Sequence, residues 1–177
     1  MITNNFKKMA ACLLQSVGNV TYGMFPITGT NGTTYYCGAN SNSGWPATVT
    51  TNLSNNYNTA GIVFGTGDTA ATANDYRIET PITTGLSGTI TYVRSCDNQN
   101  GYADIEFTIV LTNTSGEDIV IKEVAYNQTV RIASTSGGGG STSQVICLDR
   151  TVLANPVTVV NGGQATIKYK LRSILSL

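Results

Sequence analysis

The sequence predicts an all-β protein, an antiparallel β-sandwich of jelly-roll-like type preceded by a short N-terminal amphipathic helix. Three observations carry that expectation. Thr, Asn, Ser and Gly fill the polar positions while only 11% of residues are charged, a composition suited to strands and turns rather than exposed helices. Several segments alternate apolar and polar residues with the period of a half-buried strand. Turn residues separate them at roughly 8–12-residue intervals, the rhythm of a sandwich or barrel.

The length, 177 residues, argues for one domain, with residues 1–18 as a helix and residues 19–177 as a single sandwich. Within residues 4–17, Phe6, Met9, Ala10, Leu13, Leu14 and Val17 recur at helical spacing. Thr3, Asn4 or Asn5 serves as the cap, and Gly18 ends the helix. Its apolar face has two readings, packing over one end of a sheet or docking on a neighbouring subunit. Residues 20–60 are the least regular part, and Asn31-Gly32 within them predicts a type I′ hairpin turn. Tyr35, Tyr36, Trp45 and Tyr57 stand here among polar neighbours. They read either as plugs for the end of a sandwich or as an aromatic platform for surface recognition.

Ile62-Val63-Phe64 predicts a core strand, and the following Gly65-Thr66-Gly67-Asp68-Thr69-Ala70 matches the G-x-G-x-x-G/A spacing of dinucleotide-binding folds. That fingerprint works only between a strand and a long crossover helix. Pro81 arrives eleven residues after Ala70, so no such helix fits, and the stretch reads as a strand ending in a close-packed Gly-x-Gly bend. Asn74-Asp75 then starts a small turn or one-turn helix. Asp68, Asp75 and Glu79 have the chemistry for calcium but not the D-x-[DN]-x-[DN]-G spacing, so no metal is expected.

The second half alternates clearly. In residues 103–111, Ala103, Ile105, Phe107, Ile109 and Leu111 point inward, and Asp104, Glu106, Thr108 and Val110 outward. Residues 165–172 do the same, with Ala165, Ile167, Tyr169 and Leu171 inward and Thr166, Lys168, Lys170 and Arg172 outward. Residues 88–96 pair with 103–111 across the turn "DNQNGY". Further strands are expected over 118–126, 129–134, 144–150 and 151–160, with a turn at Asn161-Gly162-Gly163. The run "STSGGGGSTS", residues 134–143, is a hairpin tip centred on Gly137, Gly138, Gly139 and Gly140, able to order against a partner. No Gly-Lys-Ser/Thr follows it, so it is not a phosphate-binding loop of the Walker type.

Composition also excludes chemistry. Ten basic residues balance ten acidic ones, which gives no electrostatic footprint for nucleic acid or an anionic membrane. The absence of histidine removes the commonest general base and the commonest transition-metal ligand together. An enzyme would need a carboxylate pair such as Asp104 and Glu106, but those two share the wet face of one strand. Asp149 and Arg150 read as an internal ion pair. Cys12, Cys37, Cys96 and Cys147 have no C-x-x-C spacing; they read as free, mostly buried thiols, with two disulfides, Cys37–Cys96 among the pairings, as the alternative. The segment "FKKMAAC" resembles a lipobox, yet the apolar run from Met9 to Leu14 is too short for a signal sequence. No stretch approaches the length of a membrane span, and the five N-x-[ST] sequons are what an Asn/Thr-rich chain contains by chance. No cofactor is expected.

Four segments together resemble a family of small tailed-phage virion proteins: "MITNNFKK", "GIVFGTGDTAATANDYRIETPI", "FTIVLTNTSGEDIVIKEVAY" and "LDRTVLANPVTVVNGGQATIKYKLR". The resemblance spans nearly the whole chain except residues 20–60 and brings no catalytic motif with it. It implies a non-enzymatic structural component of the particle, in the head, neck or tail, made in the bacterial cytoplasm and incorporated into the virion. Its partners would be other virion proteins and copies of itself. The assembly contacts expected on this reading are Phe6, Met9, Leu13 and Leu14 of the helix, with Gly137–Gly140 of the hairpin tip. The alternative is a host-surface binding module, in which Tyr35, Tyr36, Trp45 and Tyr57 meet the receptor.

Overall fold

The computed structural model describes residues 2–8, 25–37, 52–97, 99, 102–133 and 141–174. Its strands are β1 (Phe25–Thr28), β2 (Thr34–Cys37), β3 (Gly61–Gly65), β4 (Leu86–Asp97), β5 (Tyr102–Asn113), β6 (Ile119–Ala133), β7 (Ser141–Val159) and β8 (Gln164–Ile174). They form two three-stranded antiparallel sheets, ordered β3-β6-β7 and β4-β5-β8, and a β1-β2 ribbon. This is the antiparallel sandwich that the alternation predicts. Residues 4–8 are helical; residues 9–17 of the expected helix lie outside the described residues.

The core lies between the sheets. Ile62, Phe64, Val124, Tyr126 and Ile146 from one sheet meet Phe107, Ile109, Leu111, Ile167 and Tyr169 from the other. Phe107 is at its centre, fully buried, with ring centroids of Tyr126 and Tyr169 at 5.3 and 6.1 Å. These separations are favourable for aromatic pairs. In the β4-β5-β8 sheet the register runs Gly88↔Leu111 to Cys96↔Ala103, and Ile109↔Ile167 on the other side. The inward and outward sets are those read from 103–111 and 165–172. They are legible because one face of this sheet packs in the core and the other carries its charged residues.

The β3-β6-β7 sheet differs, because both of its faces are covered. A second apolar cluster of Val63, Ile78, Ala125 and Cys147, with Tyr57 against it, occupies the face away from the main core. Burial on both sides erases the period-2 signal, and two strand expectations change as a result. The separate strands expected at 118–126 and 129–134 are one strand, β6 (Ile119–Ala133), and those expected at 144–150 and 151–160 are one long strand, β7 (Ser141–Val159). Two irregularities interrupt the β6-β7 ladder. Tyr126 pairs with Asp149 and Asn127 with Cys147, so Leu148 is an inserted residue; farther along, residues 153–156 of β7 stand opposite the single residue Lys122 of β6. A bulge of this kind bends and twists a strand, and Pro156 sits in the second, where no ladder N–H is required.

The Asn31-Gly32 turn also differs from expectation. Asn31 does not have positive φ, whereas Gly32 has φ 81°. The Gly32 N–H donates to the Gly29 carbonyl at 2.8 Å, and the Asn31 side chain accepts from the Thr33 N–H at 2.9 Å. This is a three-residue hairpin loop closed by a left-handed glycine rather than a type I′ turn.

Residues 2–5 stitch separate parts of the fold together. Ile2 bridges to Asp149, the Thr3 N–H donates to the Leu148 carbonyl at 3.1 Å, and the Thr3 hydroxyl donates to the Cys147 carbonyl at 2.8 Å. Asn5 donates to the Thr28 carbonyl at 2.7 Å and accepts from its N–H at 2.9 Å.

Candidate functional site

The Gly-x-Gly stretch leaves β3 and crosses the outer face of the β3-β6-β7 sheet, with Ile78 buried beneath it. Its return to β3 is fixed by the Thr66 N–H on the Thr80 carbonyl (2.9 Å) and the Ile82 N–H on the Phe64 carbonyl (2.8 Å). Under this crossing lies the densest polar cluster among the described residues. Glu123 is fully buried. Its Oε1 accepts from the N–H groups of Gly67 (3.1 Å) and Thr80 (2.8 Å), and its Oε2 accepts from the Glu79 N–H (3.1 Å) and Arg150 Nε (2.8 Å).

Arg150, also buried, distributes its remaining donors to Asp75 (Nη1, 2.7 Å), Glu79 (Nη2, 3.3 Å) and the Thr69 carbonyl (3.1 Å). Asp75 in turn accepts from the Thr72 N–H and hydroxyl, and Glu79 from those of Thr69. Burial raises the Asp75 carboxyl, but the hydrogen bonds from Thr72 and Arg150, with the Arg150 charge, outweigh it and hold the pKa below the usual carboxylate value. The two glycines make room for this packing. A Cβ on Gly65 would lie 2.5 Å from both Glu123 Oε1 and the Thr80 carbonyl oxygen, and one on Gly67 2.6 Å from Glu123 Oε1. The fingerprint residues thus bring the backbone close to a carboxylate of the same chain, which accepts the Gly67 N–H, a group that a dinucleotide loop would aim at phosphate.

The residues read as a carboxylate trio separate in this arrangement. Asp75 and Glu79 share the Arg150 guanidinium, and Asp68 is exposed and turned to Lys122 Nζ at 2.9 Å. Among the described residues, no group of three or more His, Cys, Asp or Glu is placed to hold a metal ion. The expected Asp149–Arg150 pair is corrected too. Consecutive residues of a strand face opposite ways, so Arg150 points to the Glu123 cluster while Asp149 points into the sandwich. There it accepts from the Tyr169 hydroxyl and from Thr151 Oγ1. Burial first, then the Asp149 charge, pushes the Tyr169 phenol well above its ordinary pKa. Asp104 and Glu106 share the outer face of β5, as read. Arg172 donates two hydrogen bonds to Asp104 (2.8 and 2.7 Å), and Lys170 meets Glu106 at 3.1 Å.

Of the expected assembly contacts, Phe6 is half-buried against the main core of its own chain. Met9, Leu13, Leu14 and Gly137–Gly140 lie outside the described residues, the glycines between β6 and β7, whose pairing ends at Ala133↔Ser141. Of the aromatics, Tyr35 packs half-buried on the main core and its hydroxyl accepts from Asn31 Nδ2 at 2.9 Å. Tyr36 stands in β2 opposite Pro26, and Trp45 lies outside the described residues. Tyr57 packs on the second cluster and faces Arg77, whose guanidinium carbon is 5.1 Å from the Tyr57 ring centroid and 5.4 Å from that of Tyr76. Arg77 itself is exposed. Tyr76 and Arg77 were not singled out by sequence reasoning, nor were Glu123 and the true partners of Arg150. A charged residue inside an otherwise apolar strand, as in "IVIKEVAY" and "VICLDRTV", was the available signal, since buried charges need partners.

The remaining surface feature is β4. It pairs with β5 alone among the described strands. From Ser87 to Cys96 every residue except Ile90 is exposed, and Val93 is 70% exposed.

No family model, curated protein or solved structure matches this chain. No helix among the described residues is long and apolar enough to cross a membrane.

Proposed function

We propose that this protein is a non-enzymatic structural component of a bacteriophage virion, a tail, neck or capsid-surface accessory present in multiple copies. The resemblance in the four sequence segments motivates the virion assignment, and one structural observation favours assembly. A twelve-residue strand, β4, carries mostly exposed side chains and pairs with β5 alone among the described strands, and repeated copies turn one modest edge contact into a stable array by avidity. The Glu123–Arg150 cluster is consistent with a scaffold role, because its carboxylates and guanidinium bond to one another and to nearby backbone.

The test is the solution mass of the purified chain, followed by electron microscopy of particles carrying and lacking it. Regular arrays on wild-type particles that vanish in the deletion support the proposal. Particles that never contain the chain refute it. A second reading, host-surface binding, is favoured by the exposed Arg77 held between Tyr57 and Tyr76, since a cation–aromatic stack offers polar and stacking contacts together. On that reading, Arg77→Ala and Trp45→Ala particles assemble normally but lose cell binding.

A further inference from the structure

The two sheets have four edges, and three of them are protected in ways that oppose strand addition. The outer edge of β3 is taken up by its own chain. The Ile62 N–H and carbonyl bond to Asn52 and Ser54, and the Phe64 carbonyl and Thr66 N–H bond to Ile82 and Thr80. On β7, Thr30 and Thr3 donate to the Val145 and Leu148 carbonyls, and Pro156 and the inserted residues break the remainder. The β8 edge carries Lys168, Lys170 and Arg172 on alternate residues.

Among the described residues β4 has none of these devices. It has no proline, its twelve-residue register with β5 is uninterrupted, and from Leu86 to Ser95 its one charge is Arg94. The strand is also self-complementary in one antiparallel register. Centred on Val93, it sets the most exposed large apolar side chain of the described residues against its own copy. The same register places Tyr92 opposite Arg94 twice, reproducing between strands the stack that exists within one, where the Arg94 guanidinium carbon lies 5.2 Å from the Tyr92 ring centroid. Thr91 then meets Ser95, and Ile90 meets Cys96. A register centred on Arg94 opposes two like charges, and one centred on Thr91 leaves Val93 facing Thr89.

We propose that β4 pairs antiparallel with β4 of a second copy of this chain, centred on Val93, so that two β4-β5-β8 sheets fuse into one six-stranded sheet about a two-fold axis. This deepens the assembly reading above and rests on it by naming one of its contacts.

Directly opposed residues of an antiparallel pair have Cα atoms about 4.5–5.5 Å apart, within reach of a disulfide. The experiment uses the whole chain in a Cys96→Ser background, with one cysteine introduced at position 91, 92 or 93. Mild oxidation is followed by mass-spectrometric location of the cross-link. Val93→Cys is expected to give a 93–93 cross-linked dimer, and Thr91→Cys and Tyr92→Cys at least tenfold less. Val93→Lys, at an exposed position and checked for folding by circular dichroism, is expected to weaken dimerisation at least tenfold in sedimentation. Cross-linking at position 91 or 92 in preference to 93 overturns the register. A chain that self-associates without cross-linking at any of the three, and is indifferent to Val93→Lys, overturns the β4 contact and leaves the assembly reading standing. A chain that is monomeric at all concentrations and missing from particles overturns both.

Discussion

Replacing Glu123 by Gln is the sharpest test of how the crossing segment is held. The substitution is nearly isosteric, so it changes hydrogen bonding and charge without opening a cavity. The carboxylate accepts from the Gly67 and Thr80 N–H groups through one oxygen and from the Glu79 N–H and Arg150 Nε through the other. An amide presents a donor on one side, so in either orientation two of those donors face an NH2 group. A buried donor left unsatisfied costs about 1–3 kcal/mol, and breaking a buried ion pair costs about 3–5 kcal/mol. Because these overlap, the expected loss is about 3–5 kcal/mol. With a urea dependence of roughly 2 kcal/mol per molar for a domain of this size, the unfolding midpoint falls by about 2 M. The paired measurement is amide hydrogen exchange, in which residues 66–80 lose protection ahead of β5 and β8. Glu106→Gln, whose lysine partners are exposed, is the control and should cost about 0–1 kcal/mol. A Glu123→Gln midpoint within about 0.5 M of wild type, or a crossing segment still protected, refutes the idea that this carboxylate anchors it.

Other outcomes follow from the same geometry. Gly65→Ala is expected to destabilise by about 1–3 kcal/mol through overpacking, because its Cβ meets a backbone carbonyl as well as the carboxylate; the melting temperature reads this. Asp75 has a folded-state pKa below its unfolded value, so its contribution is present above the unfolded pKa and lost as pH falls through the folded one. Urea midpoints should therefore decline as pH drops below about 4, and Asp75→Asn should flatten that slope. Burial first, then the charges of Asp149 and Asp75, raises the Cys147 thiol far above its ordinary pKa. Site-resolved alkylation should label exposed Cys96 in the native protein and Cys147 only after denaturation.

How much the sequence revealed depended on how many faces of each strand meet water. In β5 and β8 one face is wet, so Phe107 and Tyr169 could be assigned inward, and Glu106 and Lys170 outward, from alternation alone. In β6 and β7 Ala125 and Cys147 are as buried as Tyr126 and Ile146. With no wet face there is no period to read, and the strands appeared shorter than they are. Bulges hide for a related reason, since Leu148 looks like any core residue until its partners are known. The Glu123 cluster was invisible because Arg150's partners in it lie 27 to 81 positions away in sequence, and no local spacing encodes such a meeting. The Gly-x-Gly bend was legible as a close-packed turn, but what it packs against was not.

The stitching by residues 2–5 has a consequence for the order of events during synthesis. Thr3 bonds to carbonyls 144 and 145 positions further along, so residues 2–5 must wait for β7 to leave the ribosome before they find their partners. Closing so long a loop costs entropy before any contact rewards it, and folds dominated by such non-local pairings reach the native state in milliseconds to seconds. Until β7 arrives, β3 and the crossing segment lack Arg150, and β5 lacks β8. A nascent chain halted before residue 141 would therefore carry additional unpaired edges on β5 and β6, and the arrival of β7 and β8, rather than any local helix or hairpin, sets the moment at which those two edges are covered.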